Sequence, residues 1–153
     1  MLNIFKNNKL YYLIQFTWGL DTNIFGAIGY IFCKYILGWQ TQMYYKNIII
    51  SPKDKKINSG LSLGIFLFMD KDADEALKQH EYGHSIQNLI FGEFFLLLIG
   101  IPSLIRCWYY NLVINKLKLY NKEKYNYYSI WFERDASALG RRAIEDKAWS
   151  WII

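Results

Sequence analysis

The sequence predicts an α+β fold that is predominantly helical. Long segments suited to helices lie at both ends of the chain, two short β-prone runs lie together before residue 70, and a helix with acidic residues at its start follows them. A chain of 153 residues is long enough for one domain with its own core and too short for two ordinary ones. We therefore expect a single domain over residues 1–153.

The first predicted element is an apolar helical segment over residues 10–39. Asp21, Asn23 and Lys34 interrupt it. The uncharged stretch between Asp21 and Lys34 is shorter than the ~20 residues that a membrane-spanning helix needs. The segment is therefore expected to be a core helix or a marginal membrane segment.

Two β-prone runs come next, at residues 43–51 and 60–69. The first is rich in Tyr and Ile and the second in Leu and Phe, and the residues between them, 52–59, are mostly polar and begin with a proline. This pattern predicts one β-hairpin over residues 43–69.

A helix over residues 73–91 is predicted from the acidic residues that precede it. Asp70, Asp72, Asp74 and Glu75 supply N-cap side chains and favour the positive end of a helix dipole. Asp72 and Glu75 have the spacing of a capping box. The hydrophobic segment after this helix, residues 94–118, contains Gly100 and Pro102 and is too short to span as a straight helix, so we expect a buried, re-entrant or interfacial segment.

The most informative pattern lies inside the predicted helix, where residues 80–84 read HEYGH, an HExxH motif. His80 and His84 are the only histidines of the chain. A spacing of four places both imidazoles on one helix face, about 6 Å apart, where they can hold one ion, and zinc is the ion we expect. Glu81 lies about 100° round the helix from His80, close enough to hold a water molecule on that ion.

A catalytic zinc site needs a third protein ligand. Glu93 lies about 180° round the helix from His84, on the wrong face. Glu133 is better placed on the last predicted helix, residues 129–150, because Ala136, Ser137 and Gly140 on the same face would allow close packing against the motif helix. We therefore predict His80, His84 and Glu133 as metal ligands.

The predicted chemistry is hydrolysis of a peptide bond. Glu81 would take a proton from the zinc-bound water and later give it to the leaving amine. A hydrogen-bond donor for the developing oxyanion is available in Tyr127, Tyr128, Tyr109 and Tyr110, and the sequence does not choose among them.

HEYGH, with Glu133-Arg134-Asp135-Ala136-Ser137 some fifty residues later, resembles the gluzincin clan of zinc metallopeptidases. HEYGHSIQ, IGIPS and the later ExxA element also resemble small bacterial metallopeptidase-like proteins. The resemblance implies a zincin-like fold with a β-hairpin next to the HExxH helix, and a strand edge for the substrate, assigned to residues 62–68. In gluzincins the residue four after the ligand glutamate is commonly an aspartate that orients a zinc histidine, and this chain has Ser137. Asp135 is about 200° round the helix from Glu133, a poor substitute.

Three alternatives stay open at this stage, and one of them, a membrane-active small protein such as a toxin or phage product, rests only on the two apolar segments. The HExGH form also resembles intramembrane site-2-type proteases, but residues 71–79 before the motif are strongly polar and no LDG-like element is present. The third alternative is a non-catalytic membrane-associated or scaffold protein in which a structural metal braces helices.

The net charge of +5 is not accompanied by any nucleic-acid-binding motif, so we expect a peptide or protein substrate and no nucleic acid. Residues 116–124, KLKLYNKEK, suit an anionic membrane surface, or equally a solvated loop or helix. Cys33 and Cys107 lie in apolar runs and are expected to be buried hydrophobes. The N-terminus lacks a clean apolar core and a small-residue cleavage site, which predicts no cleaved signal peptide and a membrane-associated or cytoplasmic protein.

Overall fold

Five α-helices and one four-stranded mixed sheet make up the part of the chain that the computed structural model describes, residues 7–54, 56–57, 59–110, 112, 116–117 and 130–145. This architecture is α+β and predominantly helical, as the sequence predicts. The helices are α1 (Asn8–Gln15), α2 (Leu20–Ile31), α3 (Glu75–Phe91), α4 (Ile101–Tyr109) and α5 (Trp131–Ile144), and the strands are β1 (Gln40–Tyr44), β2 (Asn47–Ser51), β3 (Leu61–Leu63) and β4 (Phe66–Phe68).

The apolar segment predicted over residues 10–39 forms two helices instead of one. The Asn7 side chain caps α1 by accepting hydrogen bonds from the backbone N–H groups of Lys9 and Leu10. The chain then breaks at residues 16–19 before α2 begins, and α2 continues into a π-helical turn, Phe32–Ile36. The break lets α1 and α2 each pack one face on the rest of the protein.

The sheet corrects the prediction of a single hairpin. β1 pairs antiparallel with β2, and β3 pairs antiparallel with β4, so each β-prone run folds back on itself. β2 and β4 then pair in parallel, which gives the order β1-β2-β4-β3. Tight turns inside the runs explain the error: Tyr45 and Gly64 adopt positive φ angles of 52° and 65° between the paired strands.

The motif helix α3 begins two residues later than predicted. Its N-cap is Asp74, whose carboxylate accepts a hydrogen bond from the Leu77 N–H at 2.7 Å, so the predicted capping box of Asp72 and Glu75 is wrong. The helix ends at Gly92, which has a positive φ of 54°.

Helices α3 and α5 are in backbone contact. A Cβ at Gly83 would overlap the backbone carbonyl of Ala136, and one at Gly140 would overlap the carbonyl of Gln79. Only glycine allows this approach at either position. The predicted close packing of the small-residue face of α5 on the motif helix is therefore present, and it brings Glu133 close to α3.

The segment after α3 is bent rather than straight. A 3₁₀ turn (Gly92–Phe94) and a π-helical turn (Leu96–Gly100) lead into α4, and residues 111, 113–115 and 118 of the predicted segment lie outside the described residues. Among the described residues no single helix has the length and apolar character to cross a membrane. The pair Glu75–Phe94 and Leu96–Tyr109, bent by 119°, meets the length and composition criteria together.

A buried polar network joins α1 and β2 to the back of α3. The Tyr11 hydroxyl donates to Asn47 Oδ1 at 2.7 Å, and Asn47 Nδ2 donates to Ser85 Oγ at 2.7 Å. Gln15 Nε2 donates to the Ser85 carbonyl at 2.9 Å and Asn88 Nδ2 donates to Gln15 Oε1 at 2.7 Å. The network holds the N-terminal helix against the motif helix from the side opposite α5.

Candidate metal centre

Two histidines of α3 and one glutamate of α5 converge at a single point. Their ligand atoms all lie within 4.8 Å of one another. Glu133 Oε2 is 3.1 Å from His80 Nε2 and 3.5 Å from His84 Nε2. All three side chains are buried, with Glu133 fully so. The group has the composition and spacing to hold a metal ion.

The hydrogen bonds behind His84 fix the orientation of its ring and its tautomer. Gln87 Nε2 donates to the Phe132 carbonyl at 2.8 Å, so Gln87 Oε1 is the atom that faces His84 Nδ1, also at 2.8 Å. A carbonyl oxygen only accepts, so Nδ1 carries the proton. In the neutral ring, Nε2 then presents its lone pair to Glu133.

Ser137 has the corresponding role for His80. Its hydroxyl lies 2.8 Å from His80 Nδ1 and 3.4 Å from the Glu133 carbonyl, one turn earlier on α5. When the hydroxyl donates to that carbonyl, it accepts from the Nδ1–H of His80. His80 Nε2 is then also left with a lone pair directed at the centre of the group.

Glu133 provides the third ligand atom of the group. Its Oε1 accepts a hydrogen bond from the Ser103 hydroxyl of α4 at 2.5 Å, whereas its Oε2 is buried and has no hydrogen-bond partner among the described residues. Three electron-pair donors thus face one another with no hydrogen between them when both rings are neutral. A cation, or a proton on a histidine, is required to make this arrangement favourable. This is the donor set that a divalent metal ion fits.

Protons are the competing occupants when no metal is bound. Burial opposes ionisation of Glu133, but Oε2 accepts a hydrogen bond from His80 or His84 when the Nε2 of that ring carries a proton, and these hydrogen bonds, together with the charge of His84 and the Ser103 hydroxyl, lower the pKa of Glu133. Burial also opposes the charged form of His84, but its hydrogen bond to Glu133 and the charge of Glu81 outweigh this, so the pKa of His84 is raised above 6.5. The pocket therefore attracts positive charge.

Glu81 is adjacent to the three ligands without being one of them. Its carboxyl group packs against Gly60, where a Cβ would overlap it, just before strand β3 begins. Burial raises the pKa of Glu81, and the nearby His84 and His80 partly oppose that rise. A carboxylate held beside the ligand set in this way has the position of a general base.

A cavity of about 1630 Å³ gives access to this side of the group. His80, His84 and Glu81 contribute to its wall together with residues 59–63 at the start of β3. Apolar side chains of the bent segment line another part of it: Phe95, Ile99, Leu104 and Trp108. The three candidate ligands thus lie on one side of the point where they converge, and a partly apolar cavity lies on the other side.

The structure brings the predicted ligands together but separates other predicted residues from them. Ser137 contacts His80, whereas Asp135 is half-exposed, with its carboxylate 3.8 Å from Arg134 Nε. Tyr127 and Tyr128 lie outside the described residues. Tyr110 lines the cavity.

Two residues that hold the site were not predicted as site residues, Gln87 and Ser103. Gln87 follows His84 by three positions, so helical spacing places it beside that imidazole. Ser103 lies in the IGIPS segment, but its contact with Glu133 joins residues thirty positions apart, and no local pattern indicates it.

No protein-family model, no curated protein and no solved structure matches this chain. The function is therefore inferred from the described side chains themselves. The resemblance to gluzincins remains a prediction.

Proposed function

We propose that this protein is a zinc-dependent peptidase of zincin-like architecture, with His80, His84 and Glu133 as ligands and Glu81 as general base. The observation that carries the proposal is that the described residues supply three ligand atoms, while the cavity lies on the remaining side. Structural zinc sites are closed by four protein ligands, whereas catalytic sites use three and leave one position for water or substrate.

Zinc is the metal that best matches this donor set. Two imidazole nitrogens and one carboxylate oxygen are common ligands of catalytic zinc, whereas calcium and magnesium favour sites made of oxygen atoms alone. Both imidazoles are held by hydrogen bonds on the opposite nitrogen, as is usual for zinc ligands.

Bound zinc would polarise a carbonyl group and lower the pKa of a coordinated water to about 7. Glu81 would accept the proton of that water and deliver it to the leaving nitrogen. The carboxyl of Glu81 is buried against Gly60, and this contact limits the positions that it can adopt. Transfer of a proton from the coordinated water is efficient when the base is held in one position beside that water.

A peptide is the favoured substrate because of the strand beside the site. β3 is at the end of the sheet order and pairs with β4 on one side. An extended peptide can pair with the other side by adding a strand, with its backbone hydrogen-bonded to β3. Because β3 follows Gly60, which contacts Glu81, such a peptide would pass the general base.

The test uses His80→Ala and Glu81→Gln beside the wild-type protein, with Glu93→Gln as the matched control. Glu93 is an exposed glutamate just beyond α3, so its substitution makes the same change of charge away from the site. Zinc per chain is measured by mass spectrometry after dialysis, and hydrolysis is measured on a peptide library.

We expect about one zinc per wild-type chain, loss of zinc in His80→Ala, and retained zinc without hydrolysis in Glu81→Gln. Glu93→Gln is expected to match the wild type in both measurements. Normal hydrolysis by Glu81→Gln would contradict the mechanism. Zinc binding by a folded wild-type protein that cleaves no peptide would instead favour the alternative of a non-catalytic, structural metal site.

A further inference from the structure

The outer face of α2 and of the π-helical turn after it is made of large apolar side chains. Their spacing places them on one side of the helix, and each is between 49% and 60% exposed: Ile24, Phe25, Ile28, Ile31 and Phe32. The side of α2 that faces the protein carries the buried residues Thr22, Asn23 and Gly26. This distribution is the reverse of that in a helix that separates a core from water.

The bent segment before and within α4 repeats the pattern. Its outer residues recur at helical spacing and are between 49% and 74% exposed: Leu97, Ile101, Leu104, Ile105 and Trp108. Phe95 and Ile99 on its inner side are buried. A second long apolar face is thus exposed on a different part of the fold.

We propose that these two faces contact the hydrocarbon layer of a lipid bilayer, and that substrate reaches the metal centre from the membrane. Isolated exposed apolar residues are ordinary, whereas continuous apolar faces on two different helical segments are typical of surfaces that contact a partner or a membrane. Small and polar residues directed inward, with large apolar residues directed outward, are typical of helices in contact with lipid.

The composition of α2 favours lipid over a protein partner. Between Asp21 and Lys34 the sequence has no charged residue. A protein interface ordinarily has a polar rim with hydrogen bonds across it. A bilayer, by contrast, requires an uninterrupted apolar face with polar anchors at its ends.

Lys34 provides such an anchor. Its ammonium group lies 2.6 Å from the Tyr30 hydroxyl and 5.1 and 5.5 Å from the ring centres of Tyr30 and Tyr35. Lysine and tyrosine together at the end of an apolar helix are characteristic of the boundary between headgroups and hydrocarbon. The net charge of +5 complements anionic headgroups.

The cavity connects the second apolar face with the metal centre. Leu104 and Trp108 belong to the exposed face of α4, and both also line the cavity that His84 and Glu81 border. Gly29 of α2 lines the same cavity. An apolar peptide segment in the bilayer could therefore reach Glu81 along apolar side chains. This assignment of substrate class rests on the proposed function, whereas the contact with lipid does not.

The contact with lipid is tested by flotation of the purified full-length protein with vesicles of phosphatidylcholine and phosphatidylglycerol. Ile28→Lys and Ile105→Lys each place a charge on one of the two faces. Met43→Lys is the matched control, because Met43 is 65% exposed on strand β1, outside both faces. Circular dichroism checks that each variant is folded.

We expect the wild type and Met43→Lys to float, also in about 1 M salt, which screens purely electrostatic attraction. Ile28→Lys and Ile105→Lys are expected to lower the bound fraction at least about tenfold, because a lysine is costly in hydrocarbon. A wild type that stays in the aqueous fraction would overturn the proposal. An equal loss in Met43→Lys would overturn the assignment to these two faces.

A second measurement separates the substrate class from the proposed function. The same cleavage sequence is presented in a water-soluble peptide and in a peptide anchored in vesicles by an apolar segment, with Glu81→Gln as the inactive control. Faster cleavage of the anchored peptide supports entry from the membrane. Equal cleavage of both peptides overturns that entry route and leaves the peptidase proposal intact, whereas Glu81→Gln is expected to float like the wild type in either case.

Discussion

The hydroxyl of Ser137 lies 2.8 Å from Nδ1 of His80, on the side of the imidazole opposite Glu133. A serine in contact with the ring can hold its tautomer and its direction, which is the role that gluzincins commonly give to an aspartate. A neutral hydroxyl leaves the histidine less basic than a carboxylate would. At this position a serine keeps the contact with the imidazole, and it gives the ring less electrostatic support than an aspartate would.

The first prediction concerns this contact. Ser137→Ala removes the acceptor of the His80 Nδ1–H and is expected to weaken zinc binding by about 10–100-fold, the usual effect of losing such a partner. Ser137→Thr keeps a hydroxyl and is the control. Competition with a fluorescent chelator measures the affinity. Equal affinities in the alanine and wild-type proteins would show that the hydroxyl does not support the ligand.

The second prediction concerns Ser103, which donates to Glu133 Oε1 from α4. Ser103→Ala removes the hydroxyl that donates to Oε1 of Glu133, so we expect zinc binding to weaken by roughly tenfold or more. Ser103→Cys, which keeps a weak donor of similar size, is expected to lie between the alanine and wild-type proteins. An unchanged affinity in Ser103→Ala would contradict the contact.

The third prediction is the pH dependence of metal binding. Burial opposes the charged form of His84, but the hydrogen bonds to Glu133 and Gln87 and the charges of Glu81 and Glu133 together outweigh it and raise the pKa of His84 above 6.5. Its Nε2 therefore still holds a proton above that pH when no metal is bound. Zinc must displace this proton, and its affinity should therefore fall by up to about tenfold for each unit of pH below the raised pKa.

Titration calorimetry with zinc at about pH 6 and about pH 8, in buffers of different ionisation enthalpy, measures the affinity and the protons released. We expect weaker binding and greater proton release at the lower pH. A constant affinity across this range would mean that His84 is unprotonated in the metal-free protein.

The fourth prediction concerns the contact between α3 and α5. Gly83→Ala adds a Cβ against the backbone of Ala136, which cannot move without moving α5. The alanine gains about 1 kcal/mol in helix propensity, but overpacking of this kind usually costs 1–3 kcal/mol and more when backbone must move, so we expect net destabilisation by about 2 kcal/mol. Zinc affinity should fall as well, because Glu133 moves with α5.

Gly100→Ala is the control for helix propensity. A Cβ at Gly100 would come closest to the end of the flexible Leu96 side chain, at 3.2 Å, and would meet two atoms of Phe95 at ordinary contact distances of 3.7 and 3.8 Å. We therefore expect Gly100→Ala to be at least as stable as the wild type, with a gain of up to about 1 kcal/mol from helix propensity. Both variants are measured by chemical denaturation of the purified protein. A Gly83→Ala protein as stable as the Gly100→Ala protein would contradict backbone contact between the helices.

The three candidate ligands could be predicted because the patterns that indicate them are local in the sequence and depend only on helical spacing. A spacing of four residues fixes the relation of His80 to His84 on any helix, and the small residues beside Glu133 mark a helix face that can approach closely. The sheet shows the opposite case. Pairing of β2 with β4 joins residues that are far apart in sequence, and the composition of β-prone runs does not specify which runs pair.

The residues that hydrogen-bond to the candidate metal ligands also differ in whether the sequence indicates their contacts. Gln87 contacts His84 within one helical turn, and helical spacing places it there. Ser103 reaches Glu133 because the chain turns by 119° after α3 and brings α4 back to α5. Gly92 marks the end of α3 in the sequence, but it does not specify the direction that the chain then takes. The error at the start of α3 is smaller: Asp72 and Asp74 are both suitable caps, and the sequence does not distinguish them.

Hydrogen bonds among the buried amide and hydroxyl groups of Tyr11, Gln15, Asn47 and Ser85 would be especially important for stability when the protein contacts lipid. Where helices contact acyl chains, as we propose for α2 and α4, apolar packing between neighbouring helices supplies little driving force, since the surrounding lipid is equally apolar. Amide groups that satisfy one another keep their preference there, because lipid tails offer no replacement partner. The hydrogen bonds between α1 and α3 would therefore still hold the motif helix in place when the outer faces of α2 and α4 contact lipid.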